Sequence, residues 1–144
     1  MSKFPIIVFE GIDGTGKTYH INKIKKYLKV KRIKFISLRE PGGSKNSEII
    51  RKIILNKKNK FQKKTDLLLY MASRSENIDL IKNNIKKKVI LIDRFVDSTY
   101  AYQHYGQKLD FKLIKYLHSY LLKKLTISHT FLLVIKKNKL KHRL

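Results

Sequence analysis

The stretch FEGIDGTGKTYHI, residues 9–21, decides how the rest of the chain is read. It sets glycines at 11, 14 and 16, then Lys17 and Thr18, between an apolar run and a segment with helical spacing. Gly11-Ile12-Asp13-Gly14-Thr15-Gly16-Lys17-Thr18 fits the pattern G-x-x-x-x-G-K-[ST] without a mismatch. The glycines let the backbone wrap closely, so that several N–H groups point inward as an anion nest. The helix that follows adds the positive end of its dipole. Lys17 places a mobile cation by the outer phosphates of a nucleoside triphosphate, and the Thr18 hydroxyl can ligate Mg²⁺. A chance match in a glycine turn is the alternative, and both flanks argue against it. The pattern specifies a triphosphate cradle and leaves open where the phosphate goes.

Outward from the cradle, four short apolar runs recur: IIVF at 6–9, FISL at 35–38, VILI at 89–92 and FLLVI at 131–135. Each is bounded by charge or turn residues, as suits strands of a parallel sheet buried on both faces. Between them lie helical patterns. Ile21, Ile24, Tyr27 and Leu28 share one face, as do Ile49, Ile50, Ile53 and Ile54. A longer candidate runs over 67–85, and Leu113, Ile114, Leu117, Tyr120 and Leu121 make another. This alternation predicts an α/β fold, a parallel sheet with helices on both faces, in one domain spanning residues 1–144. Residues 42–44 and 56–59 read as loops, and no internal repeat is present.

Composition narrows the class. With 42% hydrophobic residues the chain can bury a core, and without cysteine it has no disulfide, thiol nucleophile or cysteine metal site. The apolar run before Glu10 is too short for a signal peptide, and no stretch approaches the roughly 18 residues of a membrane span. The expectation is a soluble, cytoplasmic protein with no membrane partner. The net charge of +24 has two readings. One is an anionic partner such as nucleic acid. The other is compositional drift, since the lysines are scattered among Ile and Asn and form no nucleic-acid-reading motif. The five histidines, at 20, 104, 118, 129 and 142, lack metal spacing and read as structural or surface residues.

The arginines are more telling. In LREPGGS, residues 38–44, Arg39 ends the second apolar run, where open α/β sheets bind ligands. It can fork onto a phosphate, or it is an exposed arginine in a turn. In LIDRFVDSTYAYQ, residues 91–103, Asp93 and Arg94 close the third run. Asp93 can hold Mg²⁺ or its water, and Arg94 can neutralise a transferring phosphoryl group. The alternative is a capping Asp beside a surface Arg. Tyr100, Tyr102 and Gln103 offer flat faces and an amide, and alone such residues more often pack. Tyr70 and Arg74, in YMASRSENI at 70–78, lie four apart on a helix and share a face. They can stack on a base and bond its edge, or be a core tyrosine and a solvated arginine. Lys17, Arg39 and Arg94 each follow a strand. Together they describe a donor site beside a second anionic site, which suits a kinase whose acceptor is itself a phosphate.

With FEGIDGTGKT, REPGG, YMASR, DRF and STYAYQ in this order, residues 4–135 resemble the bacterial thymidylate kinase (dTMP kinase) family, of the P-loop nucleoside-monophosphate kinase group. The resemblance implies the P-loop kinase fold and transfer from MgATP to dTMP, giving ADP and dTDP for dTTP synthesis. It implies that residues 11–18 form the ATP loop, with Lys17, Arg39 and Arg94 catalytic and Thr18 and Asp93 at Mg²⁺. Asp13 matches an acid that contacts the acceptor's sugar, and Arg39 the arginine gripping the dTMP phosphate. Tyr70 matches the aromatic on thymine and Arg74 the arginine reading its edge. Arg94, Ser98, Thr99, Tyr102 and Gln103 match the rest of the dTMP site, with Tyr102 placed against a ribose 2′-hydroxyl. The family is commonly dimeric, and the apolar face of 111–125 suits either core or a dimer helix.

Two departures stand out. Tyr19 replaces a small residue or a second Thr, and modest repacking against the first helix is expected. The chain ends soon after FLLVI with KKNKLKHRL, where the family continues into an arginine-rich lid, and Gly14 stands where some members carry a catalytic arginine. The expectation is a domain incomplete at its C-terminus, with Arg143 given no role. Nucleotide binding would persist with turnover reduced on the order of 10³-fold or more, the usual cost of a lost transition-state arginine. A catalytically inactive nucleotide-binding fragment is one rival, and a basic nucleic-acid-binding protein that keeps a P-loop is another.

Overall fold

The computed structural model describes residues 4–123, 125–136 and 138. In chain order it runs β1 (Ile6–Glu10), α1 (Lys17–Val30), β2 (Phe35–Arg39), α2 (Lys45–Leu55), α3 (Lys63–Asn84), β3 (Val89–Asp93), α4 (Val96–Thr99), α5 (Phe111–Leu122) and β4 (His129–Leu132). Between α4 and α5 the helix widens into a π-helical stretch, Tyr100–Gly106. Such widening is rare and concentrates at functional sites. The four strands are parallel in the order β2-β3-β1-β4.

The pleat divides the core in two. Ile6, Val8, Ile90 and Ile92 face Ile78 and Ile81 of α3, while Phe9, Val89 and Leu91 face Ile21 and Leu28 of α1. Helices therefore cover both faces, as the continuous apolar runs of β1 and β3 require. α2 lies against α3. On α5, Ile114 and His118 turn inward with Leu117 and Leu121, packing toward Leu67 and Met71 of α3. That puts Ile114, Leu117 and Leu121 of its apolar face in the core, while Leu113, Tyr116 and Tyr120 face solvent.

Three sequence expectations are corrected. The last strand is 129–132 rather than 131–135, and all four of its residues are exposed. Among the described residues it is an edge strand, so pairing to β1 rather than burial defines it, and Leu133 N–H extends that pairing to the Glu10 carbonyl. β2, the other edge, buries only Leu38. Tyr19 does not repack the first helix: its ring stands in solvent, edge-on to His20 with the Lys23 ammonium above it. No helix among the described residues is long and apolar enough to cross a membrane.

The registers bring the strand ends level. Arg39 pairs with Asp93, and Asp93 with Phe9. The loops that follow β1, β2 and β3 therefore leave from one edge of the sheet, at the carboxyl ends where parallel sheets bind ligands.

Candidate active site

The glycine loop, residues 11–16, leads from β1 into α1. Gly11 has φ +138°, and a Cβ there would lie 2.4 Å from the Leu133 carbonyl oxygen, so only glycine lets the loop pass β4. Gly16, at φ +93°, is the N-cap of α1 in a left-handed conformation that glycine adopts without strain. The Thr15 hydroxyl bonds the Ile12 carbonyl and closes the loop from within. Lys17 is buried, and its ammonium donates to the carbonyls of Gly11 (2.8 Å) and Ile12 (3.0 Å). Burial, with Arg94 nearby, lowers its pKa, while Asp93 and Asp13 pull the other way.

A polar cavity of about 290 Å³ opens over this loop, lined by Asp13, Gly14, Gly16, Lys17, Thr18, Arg39, Glu40, Arg51, Asp93 and Arg94. The three strand-end cations singled out from sequence thus share one space. Arg39 pairs with Glu48 of α2 at 3.0 Å, which aims its guanidinium along that helix. Arg94 has φ +68°, an uncommon conformation for a non-glycine residue. Its guanidinium bonds Asp13 and lies 5.6 Å from the Tyr102 ring. Burial raises the Asp93 carboxyl despite Lys17 and Arg94, and its Oδ1 is buried without a partner.

A second cavity of about 290 Å³ adjoins the first. It brings together Asp13, Tyr70, Arg74, Arg94, Ser98, Thr99, Tyr102 and Gln103, with Glu40, Arg51 and Phe95 in its wall. Of the acceptor-site residues read from sequence, Arg39 alone is absent from it and lines the first cavity instead. Arg74 is not solvated: only 3% of it is exposed. Its Nε donates to Glu40 Oε2 at 2.7 Å, Nη2 to the Phe95 carbonyl at 2.8 Å, and Nη1 lies 2.6 Å from His118 Nε2. Ser98 is committed to Glu10, whose carboxylate accepts from Phe95 N–H, Ser98 N–H and the Ser98 hydroxyl. Gln103 is buried, with its amide toward Asp66.

Several members of this site were not found from the sequence. Glu10 anchors the start of α4, Glu40 neutralises Arg74, His118 bonds it, and Arg51 reaches both cavities while donating to the Pro41 carbonyl at 2.6 Å. Ser73 and Asn77 of α3 pin the loop at 42–44 through Gly42 and Ser44 N–H. The contacts of Glu10, Glu40 and His118 span tens of residues, so no local spacing signals them. The α3 pair is the exception, since Ser73 and Asn77 are four apart on a buried face. A third cavity, of about 440 Å³, is largely apolar and runs from Gly11 and Ile12 to Leu132, Val134 and Ile135. Arg143 lies outside the described residues.

Oxygen donors suit a magnesium ion. Thr18 and Asp93, a hydroxyl and a carboxylate side chain, line the same cavity, so the residues present fit one. Among the described residues no group of three His, Cys, Asp or Glu stands together. That matches an ion bound by one or two protein oxygens and completed by phosphate.

Residues 9–144 match the family model described as "Thymidylate kinase". A thymidylate kinase from Acholeplasma laidlawii is 43% identical over 118 residues, covering 81% of this chain and 59% of the relative. One from Kosmotoga olearia is 40% identical over 116 residues, covering 79% and 56%. The chain thus spans less than two thirds of the length of these relatives. The crystal structure of thymidylate kinase from Ehrlichia chaffeensis superposes with a TM-score of 0.82 at 34% identity, covering 96% of this chain and 77% of that one.

Proposed function

The chain belongs to the thymidylate kinase family, and from that premise we propose that its cleft transfers a phosphoryl group from MgATP to dTMP, giving ADP and dTDP for dTTP synthesis. The observation that carries this reading is the placement of Lys17, Arg39, Asp93 and Arg94 around one polar cavity that continues into another holding Tyr70, Arg74 and Gln103. The donor phosphates would lie in the nest of residues 11–18, with Lys17 released from the loop carbonyls onto them. The acceptor phosphate would be gripped by Arg39 and Arg94, and its base would enter between Tyr70 and Arg74.

An acceptor phosphate oxygen is already anionic, so no strong general base is needed. Positioning and charge neutralisation carry the catalysis. Lys17, Arg39 and Arg94 supply three positive charges in a partly desolvated space, where they act more strongly than in water. Thr18 and Asp93 would hold Mg²⁺, which when bound neutralises charge on the phosphates. Asp13 would trade its bond to Arg94 for a contact to the acceptor's sugar. Tyr102, beside Arg94 on the cavity wall, would crowd a 2′-hydroxyl. The reading extends to a cytoplasmic protein, a homodimer as in the family, acting on free nucleotides with no specific nucleic-acid partner. The substrates' small, phosphorylated chemistry and the scatter of the lysines support it.

A coupled ATP/dTMP assay beside a dTMP binding titration tests the reading. It expects dTMP-dependent ADP release and saturable dTMP binding. Steeply salt-dependent DNA affinity indifferent to dTMP, with no nucleotide binding, would overturn it.

A further inference from the structure

We propose that His118, on α5 and remote from the glycine loop, is the positioning residue that sets base discrimination in the acceptor cavity by fixing the tilt of the Arg74 guanidinium plane, and with it the aim of its remaining N–H. This rests on the acceptor reading above.

A guanidinium has five N–H donors in a fixed plane. In Arg74 the Nε–H goes to Glu40 Oε2, and Nη2 serves the Phe95 carbonyl with Glu40 Oε2 also 2.6 Å away. One Nη1 hydrogen is directed at His118 Nε2. Among the described residues that leaves one Nη1–H without a protein acceptor, on a side chain that lines the cavity with Tyr70 and Gln103. Glu40 and Phe95 hold the Nε and Nη2 edge. Among the described residues His118 is the contact on the Nη1 side, so it stops the plane tilting about the Glu40–Phe95 edge and holds the remaining donor in its direction.

The imidazole is built for this contact. A guanidinium cannot accept, so Nε2 must carry the lone pair and the proton must sit on Nδ1. Burial and the neighbouring cation hold its pKa down to about 3, which keeps it neutral. The Tyr100 ring meets His118 edge-on at 5.1 Å and 87°, fixing the plane of the imidazole. His118 Nδ1 is buried with no partner. An unpaired buried donor destabilises a protein, and an apolar side chain at 118 would avoid it. The imidazole is therefore explained by what Nε2 does for Arg74.

A fixed N–H that can only donate accepts thymine, whose O4 is an acceptor, and rejects cytosine, which presents an N4 donor at the same edge. Removing the Nε2 acceptor lets the whole guanidinium plane tilt about the edge held by Glu40 and Phe95, which moves the remaining donor and blurs that choice. Calorimetric titrations of the 144-residue chain with dTMP, dCMP and ATP would compare wild type, His118→Leu and His118→Gln. The Leu variant should lose about 10- to 100-fold in dTMP affinity, the range of a hydrogen bond to a charged group. Its dTMP-over-dCMP preference should collapse while ATP affinity stays. The Gln variant, which returns an acceptor at the Nε2 position, should recover most of the preference. A Leu variant that binds ATP and keeps the wild-type preference overturns the proposal. Wild type that binds ATP but neither monophosphate overturns the acceptor reading and this inference with it.

If the Leu variant fails to fold, ¹⁵N spectra of wild-type His118 decide. The proposal expects a neutral, Nδ1-protonated ring whose Nε2 resonance moves with dTMP and not with ATP. A resonance that ignores dTMP, in a chain that binds it, overturns the proposal.

Discussion

Replacing Glu40 by Gln keeps the volume of a buried side chain and removes its charge. Glu40 and Arg74 are 6% and 3% exposed at the side chain, and Glu40 Oε2 stands 2.7 Å from Nε and 2.6 Å from Nη2. At a charge separation near 4 Å and an effective dielectric of 20, their attraction is about 4 kcal/mol. Glu40→Gln forfeits that and leaves Arg74 charged in the interior among neutral acceptors, the introduced amide oxygen, the Phe95 carbonyl and His118. Breaking one side of such a pair costs about 3–5 kcal/mol. For a chain of this size that is a fall in Tm of about 6–20 °C. Urea denaturation followed by circular dichroism should show a lower midpoint at unchanged slope. The double variant Glu40→Leu with Arg74→Met removes both charges and should return to within about 1 kcal/mol of wild type, because packed apolar groups replace a buried ion pair without loss. Should Glu40→Gln alone unfold within about 1 kcal/mol of wild type, water reaches the pair, and Arg74 is not held as described.

Further outcomes are expected from the same geometry. The depressed pKa of His118, about 3 against an ordinary 6.5, means that folding releases a proton wherever the unfolded ring is charged. Stability should therefore fall as pH drops from about 6.5 toward 3, by at most about 1.4 kcal/mol per unit, and His118→Gln should flatten that segment of a melt-versus-pH series. Gly11→Ala forces a side chain into φ +138° and against the Leu133 carbonyl, so thermal melts should show a loss of at least about 1–3 kcal/mol. Lys17→Met should lower the initial rate of the coupled assay on the order of 10²–10³-fold. Asp93→Asn removes the buried carboxylate charge proposed for Mg²⁺, so the gain in ATP affinity on adding Mg²⁺ should shrink in a calorimetric titration.

What the sequence disclosed follows from how local each signal is. The glycine loop is legible because its chemistry needs glycines and a lysine at fixed short spacing. β1 and β3 are legible because both faces of the sheet are covered, which demands an unbroken apolar run. β4 misleads for the opposite reason. As an exposed edge strand it needs no such run, and the apolar residues Leu132, Val134 and Ile135 line a cavity beside the loop. Arg74 is legible as a neighbour of Tyr70 on one helix face, and both line one cavity. Its burial is not, because Glu40 and His118 lie 34 and 44 residues away. Glu10 likewise reads as the polar end of a strand until Phe95 and Ser98 are folded against it.

The anchoring of Arg74 has a consequence for how this pocket can evolve. Arg74 is bound to the loop after β2, to the turn after β3 and to α5, so it is also a rivet between elements. On the proposed acceptor reading, a substitution that retunes base choice at Arg74, Glu40 or His118 loosens the fold in the same step, and selection meets both effects at once. Tyr70 and Tyr102 line the same cavity and, among the described residues, make no side-chain hydrogen bond to another element. Drift toward a different acceptor has its open route through those rim aromatics, and the arginine should be among the last residues of the pocket to change.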